Sequence, residues 1–149
     1  MSDRQQANLK AFYATLGFMI KPKLEDTGLN GGWGAKLHLN FIEKDKKTVI
    51  KQRTHHGPLH VQKLFYPEEN GACHVYLLHP PGGVVGGDHF DVKIDVNLSA
   101  KVLVTTPAAC KFYRSGGATA YQKQSIKVAT HGALEWFPSE NIFFSGVKA

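Results

Sequence analysis

A chain of 149 residues with 42% hydrophobic and 20% charged residues can bury one core without disulfides or a structural metal. The net charge of +6 comes from lysines spread along the chain, which predicts a mildly basic solvated surface rather than a clustered nucleic-acid-binding stripe. The two cysteines, Cys73 and Cys110, lack zinc-site spacing and are predicted to be reduced.

Residues 1–32 are predicted to be an N-terminal extension or linker. Apolar residues on one face predict a short amphipathic helix within residues 5–20, and a glycine-rich stretch follows it. The apolar run at residues 11–20 has about half of the roughly 20 residues that a bilayer span requires. It also lacks the basic start and cleavage site of a signal peptide, so a cytoplasmic protein is predicted.

Residues 33–149 are predicted to form one all-β domain. Apolar side chains occupy every second position from Trp33 to Phe41 and from Phe90 to Leu98, the period of a strand with one buried face. The nearly continuous apolar run Cys73–Leu78 is typical of a strand buried on both faces. Further strands are predicted at residues 48–54, 59–66, 102–105, 118–129 and 133–137, with a hairpin turn at Asp45-Lys46-Lys47. This pattern favours a sandwich, a barrel or stacked sheets, without a clear internal repeat.

Residues 79–88 read HPPGGVVGGD and predict a specified connection between two strands. Proline fixes φ and glycine admits positive φ, so such a loop follows a backbone path that other residues avoid. Neither phosphate-binding glycine pattern is present. His74, His79, Asp88 and His89 are candidate metal ligands, with His55, His56 and His60 as outlying candidates. Equally, Asp88 could hydrogen-bond the loop backbone as an Asx-turn residue, and each histidine could be an ordinary polar side chain.

Residues 105–115 interleave basic and aromatic side chains, among them Lys111, Tyr113 and Arg114. Single-stranded nucleic acid binding is one interpretation, because bases stack on aromatic rings and phosphates pair with cations. A strand or loop whose Lys111 and Arg114 pair with carboxylates is the second. A protein contact surface anchored on Tyr113 and Arg114 is the third, since these residue types dominate interface hot spots.

Residues 134–142 read LEWFPSENI. The aromatic pair Trp136 and Phe137 is predicted to lie in the core. Glu140 follows a Pro-Ser turn and is either a carboxylate facing a cavity or a solvated turn residue. No catalytic triad can be identified from spacing anywhere in the chain.

Taken together, these three stretches resemble the urease accessory protein UreD family, called UreH in some lineages. Shorter matches are WGAKL at residues 33–37, GPLHVQ at 57–62 and FYPE at 65–68. The resemblance runs from Trp33 to about Gly146. It departs from the family pattern at Cys110, where Thr or Ser is commoner, and at Phe137, where Leu is common. Members of the family are longer, so the resemblance predicts that this chain corresponds to about the N-terminal half and is incomplete.

The resemblance implies an all-β stack of sheets like a β-helix, with a couple of helices, and a non-catalytic role in urease maturation. UreD proteins bind apo-urease and a UreF accessory protein, and that complex recruits the GTPase UreG. Nickel is thought to pass through an internal tunnel, so nickel in transit and no tightly bound cofactor are expected. Dispersed weak ligands suit such a path better than a closed site, which would trap the ion. No nucleic acid or membrane partner is implied.

Within that family role, the candidate residues are those of the three stretches. Asp88 and His79 are also the expected transient nickel contacts. The competing hypothesis is a small metal-dependent β-barrel enzyme that uses His79, Asp88 and His89. The expected partner-binding or tunnel residues are His79, Gly82, Gly83, Gly86, Gly87, Asp88, Lys111, Tyr113, Arg114, Ser115 and Glu140.

Overall fold

The computed structural model describes residues 32–149, which form ten β-strands and no helix. The predicted N-terminal extension and its helix lie almost entirely outside these described residues. No helix in the described part has the length and hydropathy needed to cross a bilayer. The strands are β1 (Gly34–Lys44), β2 (Lys47–His56), β3 (His60–Phe65), β4 (Cys73–Leu78), β5 (His89–Val96), β6 (Lys101–Thr105), β7 (Cys110–Phe112), β8 (Tyr121–Val128), β9 (Ala133–Phe137) and β10 (Asn141–Phe143).

The strands form three open sheets in the part of the chain described. The first sheet has the order β2-β1-β5-β8, the second β3-β4-β6-β9, and a two-stranded third sheet pairs β7 with β10. All pairs are parallel except the hairpins β1-β2 and β3-β4 at the sheet edges. The all-β prediction is confirmed, and because no sheet closes on itself the barrel alternative is wrong.

The chain passes through the three sheets in the same order twice, as a coil. β5, β6 and β7 form one turn of the coil, and β8, β9 and β10 form the next. His89 pairs with Tyr121 and Lys101 with Ala133, each 32 positions further along. This is the stacked, β-helix-like arrangement that the resemblance implied. It is also a structural repeat that the sequence does not display.

The core lies between the first and second sheets. The inward side chains of β1 and β5 are buried, as their alternation predicted, and they face buried valines of β4 and β6. Two predictions about the core are wrong. In β4, buried and half-exposed residues alternate, so that strand is not covered on both faces. Phe137 is 75% exposed, because it lies on the face of β9 opposite to Leu134 and Trp136, which pack against the core.

The first hairpin has the turn that its sequence predicted. Asp45 and Lys46 both have positive φ, of 52° and 62°, which is the geometry of a two-residue type I′ turn. Cys73 is buried and Cys110 half-buried, and both are free thiols, as predicted. Burial raises the pKa of each thiol, which keeps both in the less reactive protonated form.

Candidate functional site

The three motif stretches of the sequence lie side by side on the third sheet. Val84 of the glycine-rich loop forms a parallel bridge with Phe112, and Phe112 lies in register with Phe143. The Val84 N–H donates to the Lys111 carbonyl at 2.7 Å, and the Tyr113 N–H donates to the Val84 carbonyl at 2.8 Å. The loop therefore lies beside β7 in the manner of an additional strand of this sheet. We refer to residues 83–85, 110–113 and 141–144 together as the short face.

Two glycines allow this close approach. A Cβ atom on Gly83 would lie 2.3 Å from Cε2 of the Tyr113 ring, and one on Gly86 would lie 2.6 Å from the Ala118 carbonyl oxygen. Gly82 and Gly87 instead have positive φ, of 75° and 94°, where side chains are strained. The loop is thus glycine-rich both because it turns sharply and because the next turn of the coil packs directly on its backbone.

Asp88 is buried and holds the loop in place. Its side chain is 2% exposed. Oδ2 accepts a hydrogen bond from the Val85 N–H at 2.8 Å, and Oδ1 accepts one from the Trp33 N–H at 2.8 Å. Asp88 therefore hydrogen-bonds the loop backbone, as in the Asx-turn alternative, and it also accepts a hydrogen bond from the residue that precedes β1.

His79 lies half-buried beside the core. Its ring meets Phe90 edge-on, with 4.8 Å between the ring centroids. Burial lowers the pKa of His79, while the charge of Asp88 acts in the opposite direction. The neutral imidazole that results is the form that binds metal ions. Among the described residues, no group of three or more His, Cys, Asp or Glu side chains converges to hold a metal ion.

Two pairs of stacked rings run across the short face. Phe112 and Phe143 stack with centroids 4.6 Å apart, and Tyr113 and Phe144 stack at 5.3 Å with an interplanar angle of 5°. Phe112 is buried, whereas Tyr113 is 39% and Phe144 45% exposed. Together with the exposed Val85, these outer rings form an apolar surface on a rigid backbone.

Cations lie beside this apolar surface. Lys111 and Arg114 are exposed, and neither forms an ion pair with any described residue. The Ser115 hydroxyl contacts the Ala118 carbonyl, which fixes the turn after β7. Glu140 is exposed, and its carbonyl accepts the Cys110 N–H at 3.0 Å where β10 begins.

The structure therefore brings most of the predicted residues together but divides their roles. Tyr113, Lys111 and Arg114 are at the surface, whereas Asp88 is an internal anchor and His89 is exposed on the first sheet. The contact of Trp33 with the loop and that of Phe144 with Tyr113 were not predicted. Trp33 contacts the loop from 55 positions away, which no local pattern reveals. The aromatic pair at residues 143–144 was visible as an apolar run and could have been assigned to this face.

Comparisons with known proteins identify the family to which this sequence is similar. The model of the UreD urease accessory protein family matches residues 34–149. Urease accessory protein UreD of Alcanivorax borkumensis is 52% identical over 82% of this chain and 42% of its own length. The UreD proteins of Escherichia coli and Aliivibrio fischeri are 54% and 48% identical over 76% and 86% of this chain.

This chain spans less than half the length of these curated relatives, 40–44% of each. Within that span, the family match includes every strand of the fold and all three sequence stretches that form the short face. The chain belongs to the UreD urease accessory protein family.

Proposed function

We propose that the chain acts as a non-catalytic scaffold in urease maturation, binding partner proteins while nickel is delivered to apo-urease. The observation that carries this proposal is the match to the urease accessory protein family over residues 34–149. The partners proposed are apo-urease and the UreF-like and UreG-like accessory proteins. Nickel is the cargo of such a complex rather than a resident cofactor.

The short face is the proposed docking surface. Tyr and Arg are enriched in binding hot spots, where rigid rings enter a partner's pocket at little entropic cost. Tyr113 and Phe144 are already stacked on each other, so their side chains lose little further freedom on binding. Lys111 and Arg114 are exposed and supply positive charge at the rim, which would steer a partner that carries carboxylates.

His79 and Asp88 remain the proposed transient nickel contacts. The neutral imidazole of His79 suits this role, because a proton would block the nitrogen that binds the metal. Asp88 already accepts two backbone N–H groups, so its contribution would be the negative charge near the path of the ion. Weak contacts of this kind pass a cation onward, whereas a closed set of ligands would hold it.

The scaffold role is tested by deleting the gene in a urease-producing strain and measuring the nickel content of the purified urease. We expect apo-urease after deletion and nickel-loaded urease when the gene is restored. Co-purification with UreF-like and UreG-like proteins is expected in the same strain. A deletion strain with fully loaded urease would contradict the proposed function.

The docking surface is tested by restoring the gene as Tyr113→Ala, Phe144→Ala or Phe137→Ala. Phe137 is a matched control, because it is an exposed aromatic residue of β9, outside the short face. We expect the first two variants to bind the partner complex about 30-fold more weakly, as is typical of hot-spot residues. Equal effects of all three variants would contradict docking through the short face.

A further inference from the structure

The outer face of the first sheet carries a groove of about 610 Å³ that is rich in cations. It lies over the outward side chains of all four strands of that sheet. The strand register places Lys36, Asp91 and Lys123 in one row. His38, Lys93 and Ser125 form the next row, and Asn40, Asp95 and Lys127 the third.

Positive charge exceeds negative charge on this face even when the ion pairs formed within the face are set aside. Asp95 accepts a 2.7 Å contact from His38 Nε2 and lies 3.4 Å from Lys93 Nζ, so its carboxylate is already engaged. None of Lys36, Lys123 and Lys127 forms an ion pair with a described residue. Three cations therefore remain against a single unengaged carboxylate, that of Asp91.

We propose that this groove binds an acidic segment of a partner protein in an extended conformation. Successive rows of the face are two residues apart, which is about 6.7 Å along a strand. An extended peptide repeats its same-side residues at the same spacing, so carboxylates at alternate positions would follow the rows. Lys36 and the two lysines of β8 lie on opposite sides of β5 and would contact such a segment from both flanks.

The same face is poorly suited to nucleic acid. Asp91 and Asp95 would lie against a phosphate backbone, whose charges are closely and continuously spaced. Among the described residues, no Phe, Tyr or Trp side chain lines the groove, and the one exposed ring of these types on this face, Tyr121, lies beyond its end, so bases over the groove would have no series of such rings on which to stack. The groove is also on a different sheet from the short face, and its proposed role does not depend on the docking surface described above.

The test uses the whole chain, captured through an N-terminal tag on a biosensor surface so that molecules cannot associate with one another. The probe is a peptide of alternating glutamate and serine, with alternating glutamine and serine as the uncharged comparison. The groove variant is Lys36→Gln/Lys123→Gln/Lys127→Gln. The control variant, Lys44→Gln/Lys63→Gln/Lys101→Gln, removes three exposed lysines elsewhere, so both variants reduce the net charge from +6 to +3.

We expect the acidic peptide to bind at low ionic strength and to be released by salt, because exposed charges are screened. The groove variant should bind it about tenfold more weakly, whereas the control variant should bind it like the unsubstituted chain. Equal losses in both variants, or no binding of the peptide at low ionic strength, would overturn the proposal. Tighter binding of single-stranded RNA or of anionic vesicles through the same three lysines would also overturn it.

Discussion

Asp88 fastens the glycine-rich loop to the start of β1, since its Oδ1 atom accepts a 2.8 Å hydrogen bond from the N–H of Trp33, 55 positions earlier in the chain. The other oxygen accepts the Val85 N–H within the loop. Removing the carboxylate in Asp88→Ala should lower the free energy of unfolding by about 3 kcal/mol, because two charge-assisted hydrogen bonds are lost. Urea denaturation followed by circular dichroism measures this change.

Asp88→Asn and Asp91→Asn serve as comparisons for this prediction. Asn keeps one acceptor oxygen, so Asp88→Asn should cost about half as much as Asp88→Ala. Asp91 has the same charge but no hydrogen bond to a described residue, and Asp91→Asn should change stability by no more than about 0.5 kcal/mol. If Asp88→Ala were as mild as Asp91→Asn, Asp88 would not anchor the loop.

Gly83 is predicted to be intolerant of any side chain. In Gly83→Ala the new methyl group would meet the Tyr113 ring at 2.3 Å and the Lys111 carbonyl oxygen at 2.9 Å. Displacing Tyr113 also breaks its stacking on Phe144, so we expect a loss of about 1–3 kcal/mol. Thermal unfolding compares this variant with Gly116→Ala, where nothing lies within 4 Å of the added methyl group and stability should hold or rise slightly. Equal melting temperatures for the two variants would contradict the close packing.

The stability of the chain should fall in mild acid through His79. Burial lowers the pKa of His79 in the folded state, although Asp88 opposes the shift, while the unfolded pKa is about 6.5. The unfolded state therefore takes up its proton at a higher pH than the folded state. This contribution to stability is fully present above about pH 6.5 and is lost as the pH falls through the unfolded pKa toward the folded one.

This pH dependence is measured by urea denaturation across the mildly acidic range. His79→Gln has no proton to gain and should show a flatter profile than the unsubstituted chain. His55→Gln removes an exposed histidine and should leave the profile unchanged. A profile that His79→Gln does not alter would show that some other group titrates.

The isolated chain is predicted to associate through the last turn of the coil. Ile126 of β8 lies in register with Ile94 of β5, yet Ile126 is 41% exposed where Ile94 is fully buried. Because β8 has only one neighbouring strand among the described residues, its edge also presents backbone groups without a strand partner there. Light scattering should show association that increases with concentration, and Ile126→Lys should reduce it, because a charge at a strand edge opposes pairing.

Leu98→Lys is the matched comparison, since Leu98 is an exposed apolar residue outside the open edge. We expect this substitution to leave the association unchanged. A chain that stays monomeric at all concentrations, or that responds equally to both substitutions, would contradict association through β8.

The strand pattern was largely predictable because alternation is a local property. β1 and β5 repeat apolar residues at every second position over enough residues to show the period, and the structure has both strands. β7 and β10 are three residues each, too short for any period to appear. The sheet they form is held by contacts between distant parts of the sequence, such as the bridge between Val84 and Phe112.

The coil could not be predicted from the sequence, because residues that pair between its successive turns often differ in type. Val92 lies in register with Gln124, and Phe90 with Gln122. Trp136 packs against the core as predicted but Phe137 does not, since adjacent residues of a strand point to opposite faces of the sheet. Asp88 anchors the loop through a contact with the distant Trp33, so composition alone could not separate this anchoring role from a role in metal binding.

The turns of the coil differ in the number of neighbours that each strand has. Within the described residues, β5 and β6 pair on both sides, whereas the edge strands β2 and β3 at one end and β8 and β9 at the other pair on one side only. In a stacked fold, local stability depends on contacts with the adjacent turns, so opening should begin at the turn with fewest neighbours. Backbone amides of β8 and β9 should therefore exchange with deuterium before those of β5 and β6.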